Sequence, residues 1–302
     1  MSLDLFERTA GDLARAAGGR ALQAFRSTVA LEFKGKKKDN PVTALDRDVE
    51  TYLRTELRAA FPSHGLLGEE HADDIAADAQ YVWVIDPIDG TMNFASGVPL
   101  FGISIGLLDR GVPVVGCIWA PVGPTLVPGV YHARAGGGAW FDDQPIRVSC
   151  AEDERGQIMA LPAGYLRAFR FRRPGKDVPR PARALPDPRT TGCATAEQVL
   201  VASGALRAAV FIRPSIWDVA AGTLIVREAG GLVLTWSDGQ WTPFERFEPA
   251  KPPRGKGEPA LRHWGRPLLL GAPDAIDRLR ARMAWHPRLP RPLQKLIGLA
   301  AQ

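Results

Sequence analysis

The chain has 302 residues, 45% hydrophobic and 24% charged, an ordinary globular composition long enough for two sub-domains. Three scattered cysteines, Cys117, Cys150 and Cys193, fit neither a disulfide framework nor a zinc knuckle and read as small buried hydrophobes. The formal charge is +5, no apolar run approaches the roughly 18 residues of a membrane span, and MSLDLFERTAGDL lacks the pattern of a signal peptide, so a soluble, cytoplasmic protein is expected.

Helical spacing predicts a first helix from Leu5 to Phe25. Thr43 and Asp46 form a capping-box pattern that opens a second helix, with Val49, Tyr52, Leu53 and Leu57 on one face. YVWVID reads as a buried strand ending at Asp86, and GISIGLLD and PVVGCIWAPV as an antiparallel hairpin turning at Arg110-Gly111. Further strands follow to Ser149. Residues 1–150 therefore read as an α+β sub-domain. Past Cys150 come a strand over Ile158 to Leu161, a basic loop, a helix over Thr195 to Ser203, the strand AAVFI, the helix WDVAAGTLIVREA closed by Gly230-Gly231, and the strand LVLTW. Residues 151–302 read as α/β. Pro243 to Pro267 lacks an apolar period and reads as a long loop, and the tail beyond Pro287 is short and proline-interrupted.

The basic excess falls into two clusters. One holds Lys34, Lys36, Lys37 and Lys38; the other holds Arg167, Arg170, Arg172, Arg173, Lys176, Arg180 and Arg183, opposed by Asp177. Such runs are either solvated loops or surfaces that attract an anion, whether an acidic substrate such as a phosphate or a nucleic acid.

The sharpest chemical signal is the pair Asp86 and Asp89 around Pro87-Ile88. Each acid alone has a bland reading, as a strand-end acid and a turn former. Together, with the Ile88 carbonyl turned outward and Gly90 allowing a tight turn into Thr91, they make a set of oxygens suited to a hard cation such as Mg²⁺. Backbone amides of Gly90 and Thr91 would offer an anion site beside it. Glu69 and Glu70 in LLGEEH and Asp218 in IWDVAAG are further acids that can complete such a site. Asp218 alone reads equally as a helix-dipole acid, and Asp46 as a cap. GISIG matches the hydrolase elbow pattern at Ser104, but flanking isoleucines place that serine in the sheet. The five histidines show no zinc-protease spacing.

GEE at 68–70, WVIDPIDGTMNF at 83–94 and WDVAAGTLIVREAGG at 217–231 resemble, in order and spacing, the signature segments of the inositol monophosphatase family of magnesium-dependent, lithium-sensitive phosphatases. The likeness covers roughly residues 4 to 235. It implies a layered α-β-α-β-α sandwich with the site between two halves, and a homodimer. It implies that Glu69, Asp86 and the Ile88 carbonyl hold one Mg²⁺ and Asp86, Asp89 and Asp218 a second, with Glu69 facing a third. Thr91, bonded to Asp46, would orient and deprotonate the attacking water, so that Thr91, Asp46 and Glu69 carry the catalysis. Gly90, Thr91, Gly192, Cys193, Ala194, Arg213 and Asp218 would contact the substrate.

The reaction implied is hydrolysis of a small phosphorylated metabolite, inositol monophosphate or a related polyol or sugar phosphate. Phe211 stands where inositol-specific members carry a glutamate, with Arg213 and Ser215 nearby, and Met92 where hydroxyl-bearing residues are familiar. An arginine there suits a second phosphate or a carboxylate, so fructose 1,6-bisphosphate, histidinol phosphate and 3′-phosphoadenosine 5′-phosphate are alternatives. The basic clusters motivate a different class, a nucleic-acid- or protein-binding regulator on the same fold. Nucleic acid is not the expected partner, since the first cluster lacks interleaved aromatics and the second has only Phe169 and Phe171.

Overall fold

The computed structural model describes residues 2–25, 31–33, 41–124, 126–150, 158–163, 165–171, 186–252, 258 and 260–285. The side chains of both basic clusters, that of Thr43 and the tail beyond Pro287 lie outside the described residues.

Helix α1 (Leu3–Phe25) is followed by a small ladder of β1 (Leu31–Phe33) and β2 (Pro41–Thr43), then by α2 (Ala44–Ala60). A seven-stranded sheet runs in the order β3 (Gly65–Gly68), β4 (Tyr81–Asp89), β5 (Gly102–Asp109), β6 (Val112–Ala120), β7 (Gly129–Arg134), β8 (Ala139–Phe141), β9 (Gln144–Pro145). Only β3 and β4 pair in parallel within it. The short helix α3 (Thr91–Ala95) leaves the end of β4.

Strand periodicity sorts the sheet into two faces. Trp83, Ile85, Ile103, Ile105, Cys117 and Trp119 join Phe6, Ala10, Leu53 and Leu57 of α1 and α2 in one core. Its aromatic centre packs edge to face, Phe6 against Phe61 at 5.1 Å and against Trp83 at 6.1 Å. Val82, Val84, Ile118 and Ala120 face the other way, into a middle core.

A second sheet, ordered β12 (Asp187–Arg189), β10 (Ile158–Ala160), β13 (Ala208–Phe211), β16 (Leu268–Gly271), β14 (Leu232–Ser237), β15 (Gln240–Pro243), closes that middle core from the far side. Between the sheets lie α5 (Ala194–Ala202) and α6 (Ile216–Glu228). Helix α6 is apolar nearly all round, as a helix sandwiched between two sheets must be. The outer face of the second sheet packs Met159, Val210 and Leu269 against α4 (Tyr165–Ala168), α7 (Pro273–Arg282) and a ladder of β11 (Phe169–Phe171) with β17 (Met283–Trp285). The result is the α-β-α-β-α layering that the sequence implied. Among the described residues no helix is long and apolar enough to cross a membrane.

Three local readings change. Strand β4 does not stop at Asp86: its ladder with β5 resumes at Asp89 after an irregularity. The stretch Pro243 to Pro267 is not a free loop, because Phe244, Phe247 and Trp264 are buried together, with Phe247 and Trp264 centroids 4.7 Å apart, and Ala250 bridges Ala260. Three aromatics at irregular spacing carry no period, so the pattern hid them. Finally, Leu268–Gly271 is a fully buried inner strand of the second sheet, followed by a helix, in a stretch where no element was expected. Of the cysteines, Cys117 and Cys193 are buried as expected and Cys150 is half-buried, all three as free thiols.

Helix α6 sits on β5 and β6 because those strands present Gly106 and Gly116 to it. A Cβ at Gly116 would lie 2.4 Å from the Ala221 carbonyl oxygen, against backbone that cannot give way. Gly116→Ala is therefore expected to destabilise the protein by about 1–3 kcal/mol, the usual overpacking cost, read as a lower denaturation midpoint in urea at unchanged slope.

Candidate active site

The irregularity in β4 explains how two acids three residues apart serve one face. Asp86 pairs with Ser104 and Asp89 with Gly102, three steps on one strand against two on the other. One extra residue, at the proline that cannot donate to the ladder, turns Asp89 to the side that Asp86 faces. That side is the one covered by α6: Ser104, opposite Asp86, donates its hydroxyl to the Trp217 carbonyl at 3.3 Å. Ser104 is thus a fully buried sheet residue and not a nucleophile.

The other acids arrive from separate elements. Asp46 is buried in the first turn of α2. Glu69 follows β3. Asp218 stands in the first turn of α6, where its Oδ2 accepts from the Ser215 amide at 2.8 Å within a capping box. Burial raises the Asp86 carboxyl well above its ordinary range, and Glu69, Asp89, Asp218 and Asp46 push it further. Asp218 is raised likewise, by burial, Asp89 and Glu69, against the opposing bond from Ser215. Asp89 is raised by burial, partly offset by hydrogen bonds from Thr195 and Cys193. The structure thus brings the other four acids within electrostatic reach of Asp86.

These groups fit a hard divalent cation on two counts. The donors are carboxylate oxygens, and Asp86 Oδ1 is buried with no hydrogen-bond partner. Asp89 Oδ2 accepts the Thr195 amide and Asp218 Oδ2 the Ser215 amide. Among the described residues no three ligating side chains stand close enough to hold an ion as they are. The Ile88 carbonyl, with its side chain buried, accepts the Thr91 hydroxyl at 3.0 Å.

The segment Gly192-Cys193-Ala194 lies against the acids. Gly90 is left-handed, at φ 84°, and a Cβ there would be 2.8 Å from the Leu100 carbonyl and 3.1 Å from Cys193 Cβ, so only glycine fits. The Cys193 thiol donates to Asp89 Oδ2 at 3.2 Å, and burial with the Asp89 charge holds it well above its ordinary pKa, a donor and not a thiolate. Exposed Gly192 sits beside Asn93, and Ala194 opens α5. Arg213 is exposed on the turn before α6, two residues ahead of Ser215, while Phe211 is a core residue that offers no polar group. Met92 is exposed.

Several residues were missed. The Thr195 amide donates to Asp89 Oδ2 at 2.6 Å. Asn93 Nδ2 donates to the Leu100 and Thr191 carbonyls at 2.8 and 2.9 Å, tying α3 to the 191–194 segment. Gln198 Nε2 bridges the Ala194 and Asp218 carbonyls. Glu50, fully buried, accepts the Glu70 and His71 amides at 2.7 and 3.2 Å and so fixes the loop that carries Glu69. Its signal was a glutamate on the apolar face of α2.

A sequence profile of the inositol monophosphatase family matches residues 2–260. An inositol-1-monophosphatase of Bacillus subtilis is 34% identical over 226 residues, covering 73% of this chain and 82% of that protein. The Nus factor SuhB of Vibrio cholerae is 28% identical, covering 75% and 83%. The solved inositol monophosphatase of Anabaena aligns with TM-score 0.68 and 28% identity over 93% of this chain and 96% of its own.

Glu197 adds a pH dependence. It is buried, accepts the Thr191 hydroxyl at 2.7 Å, and burial raises its pKa from 4.5 to about 7, the Thr191 bonds opposing and Asp89 adding to the rise. A raised acid binds more protons folded than unfolded, so its contribution is intact below the unfolded value and is lost as pH climbs through the folded one. Glu197→Gln is expected to match the wild type near pH 4 and to exceed its stability by about 3 kcal/mol above pH 8, measured by urea unfolding across that range.

Proposed function

Because this chain belongs to the inositol monophosphatase family, we propose that it is a Mg²⁺-dependent phosphomonoesterase acting on a small phosphorylated metabolite, an inositol monophosphate or a related polyol or sugar phosphate. The observation that carries this reading is the buried, unpartnered oxygen of Asp86 among four further acids. Like charges gathered out of water are tolerated when a cation joins them.

Glu69, Asp86, Asp89, Asp218 and the Ile88 carbonyl would hold two or three ions, which when bound neutralise the phosphate dianion and acidify water. The chain's own groups do the rest. The Thr91 hydroxyl donates a hydrogen bond to the Ile88 carbonyl, so its oxygen can accept from a water and orient it, and the carbonyl keeps a second lone pair. One of the carboxylates of Asp46 and Glu69 takes the single proton that the water gives up as its oxygen bonds to phosphorus, the ester P–O bond breaks, and the leaving alkoxide takes a proton from solvent. Gly90, Gly192, Cys193 and Ala194 form the wall beside Asp89 against which the substrate rests. Arg213, exposed at the mouth of α6, recognises a second anionic group where the substrate has one.

Phosphate release is measured on inositol 1-phosphate, fructose 1,6-bisphosphate, histidinol phosphate and 3′-phosphoadenosine 5′-phosphate. The expected result is turnover of at least one, abolished by EDTA, restored by Mg²⁺, and lowered at least about 100-fold by Asp89→Asn. No release from any of them in Mg²⁺ sinks the reading.

The name of the Vibrio cholerae relative favours a second reading, a nucleic-acid- or protein-binding regulator on the same fold. Salt-sensitive RNA binding that survives Asp89→Asn would carry it. A homodimer belongs to the first reading. Exposed Val122 and Leu126 edge a hollow of about 720 Å³ lined also by Pro121, Tyr131, Ile146 and Leu200, the kind of apolar surface that a second copy covers. Light scattering is expected to give twice the chain mass, and Leu126→Asp to give the monomer.

A further inference from the structure

The stretch after β15 reaches back across the molecule. The Phe247 amide donates to the Gly111 carbonyl at 2.8 Å, in the turn between β5 and β6, and the buried rings of Phe244, Phe247 and Trp264 seat the chain there. A single helical turn, Leu261–His263, then presents Arg262. Its Nε donates to both carboxylate oxygens of Asp73 at 3.0 Å, and its Nη2 donates to the carbonyls of Gly68 at 2.8 Å and His71 at 3.3 Å. Its guanidinium carbon stands 5.7 Å from the ring centre of Trp217. One planar group therefore grips the chain on both sides of Glu69 and touches the residue before Asp218. Glu50 holds the same loop through the Glu70 and His71 amides.

We propose that Arg262 is a positioning residue that locks the Glu69 loop against the start of α6 and so sets the relation between Glu69 and Asp218 on which divalent-cation affinity depends. The proposal rests on the metal reading above. The chemistry is specific to arginine. The loop aims two carbonyls and a carboxylate at one place, and only a rigid fork with several donors meets all three while lying over an indole face. Lysine keeps the charge and can satisfy one partner. Holding the loop before the ion arrives removes an ordering cost from binding.

Wild type, Arg262→Ala and Arg262→Lys are compared by calorimetric titration with Mg²⁺ in the absence of substrate, by amide hydrogen exchange, and by the Mg²⁺ dependence of phosphate release. Arg262→Ala is expected to bind Mg²⁺ about 10–100-fold more weakly, as loss of an outer-shell partner does. Amides of residues 69–74 should exchange faster while those of α1 do not, and kcat should return at saturating Mg²⁺. Arg262→Lys should fall between. Wild-type affinity and loop protection in Arg262→Ala overturn the proposal, as does a loss of kcat that Mg²⁺ does not restore. If the wild type takes up no Mg²⁺, the metal reading and its role for Arg262 fall together, a result distinct from equal, measurable affinity in both proteins. Should Arg262→Ala not fold, Arg262→Lys decides alone, unchanged Mg²⁺ affinity overturning the proposal.

Discussion

Five carboxylates gathered at one junction, with Asp86 and Asp46 almost wholly buried, are the constraint to which the surrounding structure answers. Two unit charges 4 Å apart repel by about 4 kcal/mol at the effective dielectric of a protein surface, and desolvation adds to the cost. Left to themselves such groups would turn outward or take up protons. Three of the five are kept at their posts by a backbone donor or a neighbouring element: Thr195 for Asp89, Ser215 for Asp218, and the Glu50 and Arg262 grips for the loop of Glu69.

Those donors act only because distant parts of the chain are stacked closely. Asp86 and Asp89 ride on β4, Asp218 on α6, and the two meet because α6 lies directly on the glycine-bearing faces of β5 and β6. The middle core that holds this contact draws residues from both sheets. A disturbance of α6 packing is therefore also a disturbance of the acid cluster, and stability and site geometry are coupled through one interface. The same logic accounts for polar groups buried within the core, since Gln198 and Ser104 spend their hydrogen bonds on the carbonyls of Asp218 and Trp217.

Much of this was legible in the residues. The apolar runs YVWVID and GISIGLLD and the mostly apolar WDVAAGTLIVREA gave the strands and helix because those patterns are local, whereas the order of the layers came from the family resemblance. The acids were legible as a group because glycine, proline and threonine frame them in one motif. The bulge was not, since a register shift depends on the partner strand, and Asp86 to Asp89 read instead as a strand end and a turn. Nor were Thr195 and Glu50 visible. Each contributes an ordinary group, a main-chain amide or a helix carboxylate, whose role is fixed by where the fold delivers it. Arg262 was hidden for the same reason, inside a stretch whose aromatic anchors have no regular spacing.

The two sides of the cleft are built differently, and this bears on how such a site can change. The acid side is cross-tethered and drawn from α2, β4, α6 and the loop after β3, with Asp46 and Asp86 buried and Glu69, Asp89 and Asp218 half-buried. The facing wall is a short stretch, Gly192 to Ala194, with exposed Arg213 and Met92 at its edges, and few contacts restrain those two side chains. Replacing an exposed side chain there costs little in folding. Asn93 joins the two sides, fixing the 191–194 segment to the helix that begins at Thr91. The wall can therefore vary in its side chains while its distance from Asp89 stays set by backbone, which under the function proposed above separates the choice of substrate from the chemistry performed on it.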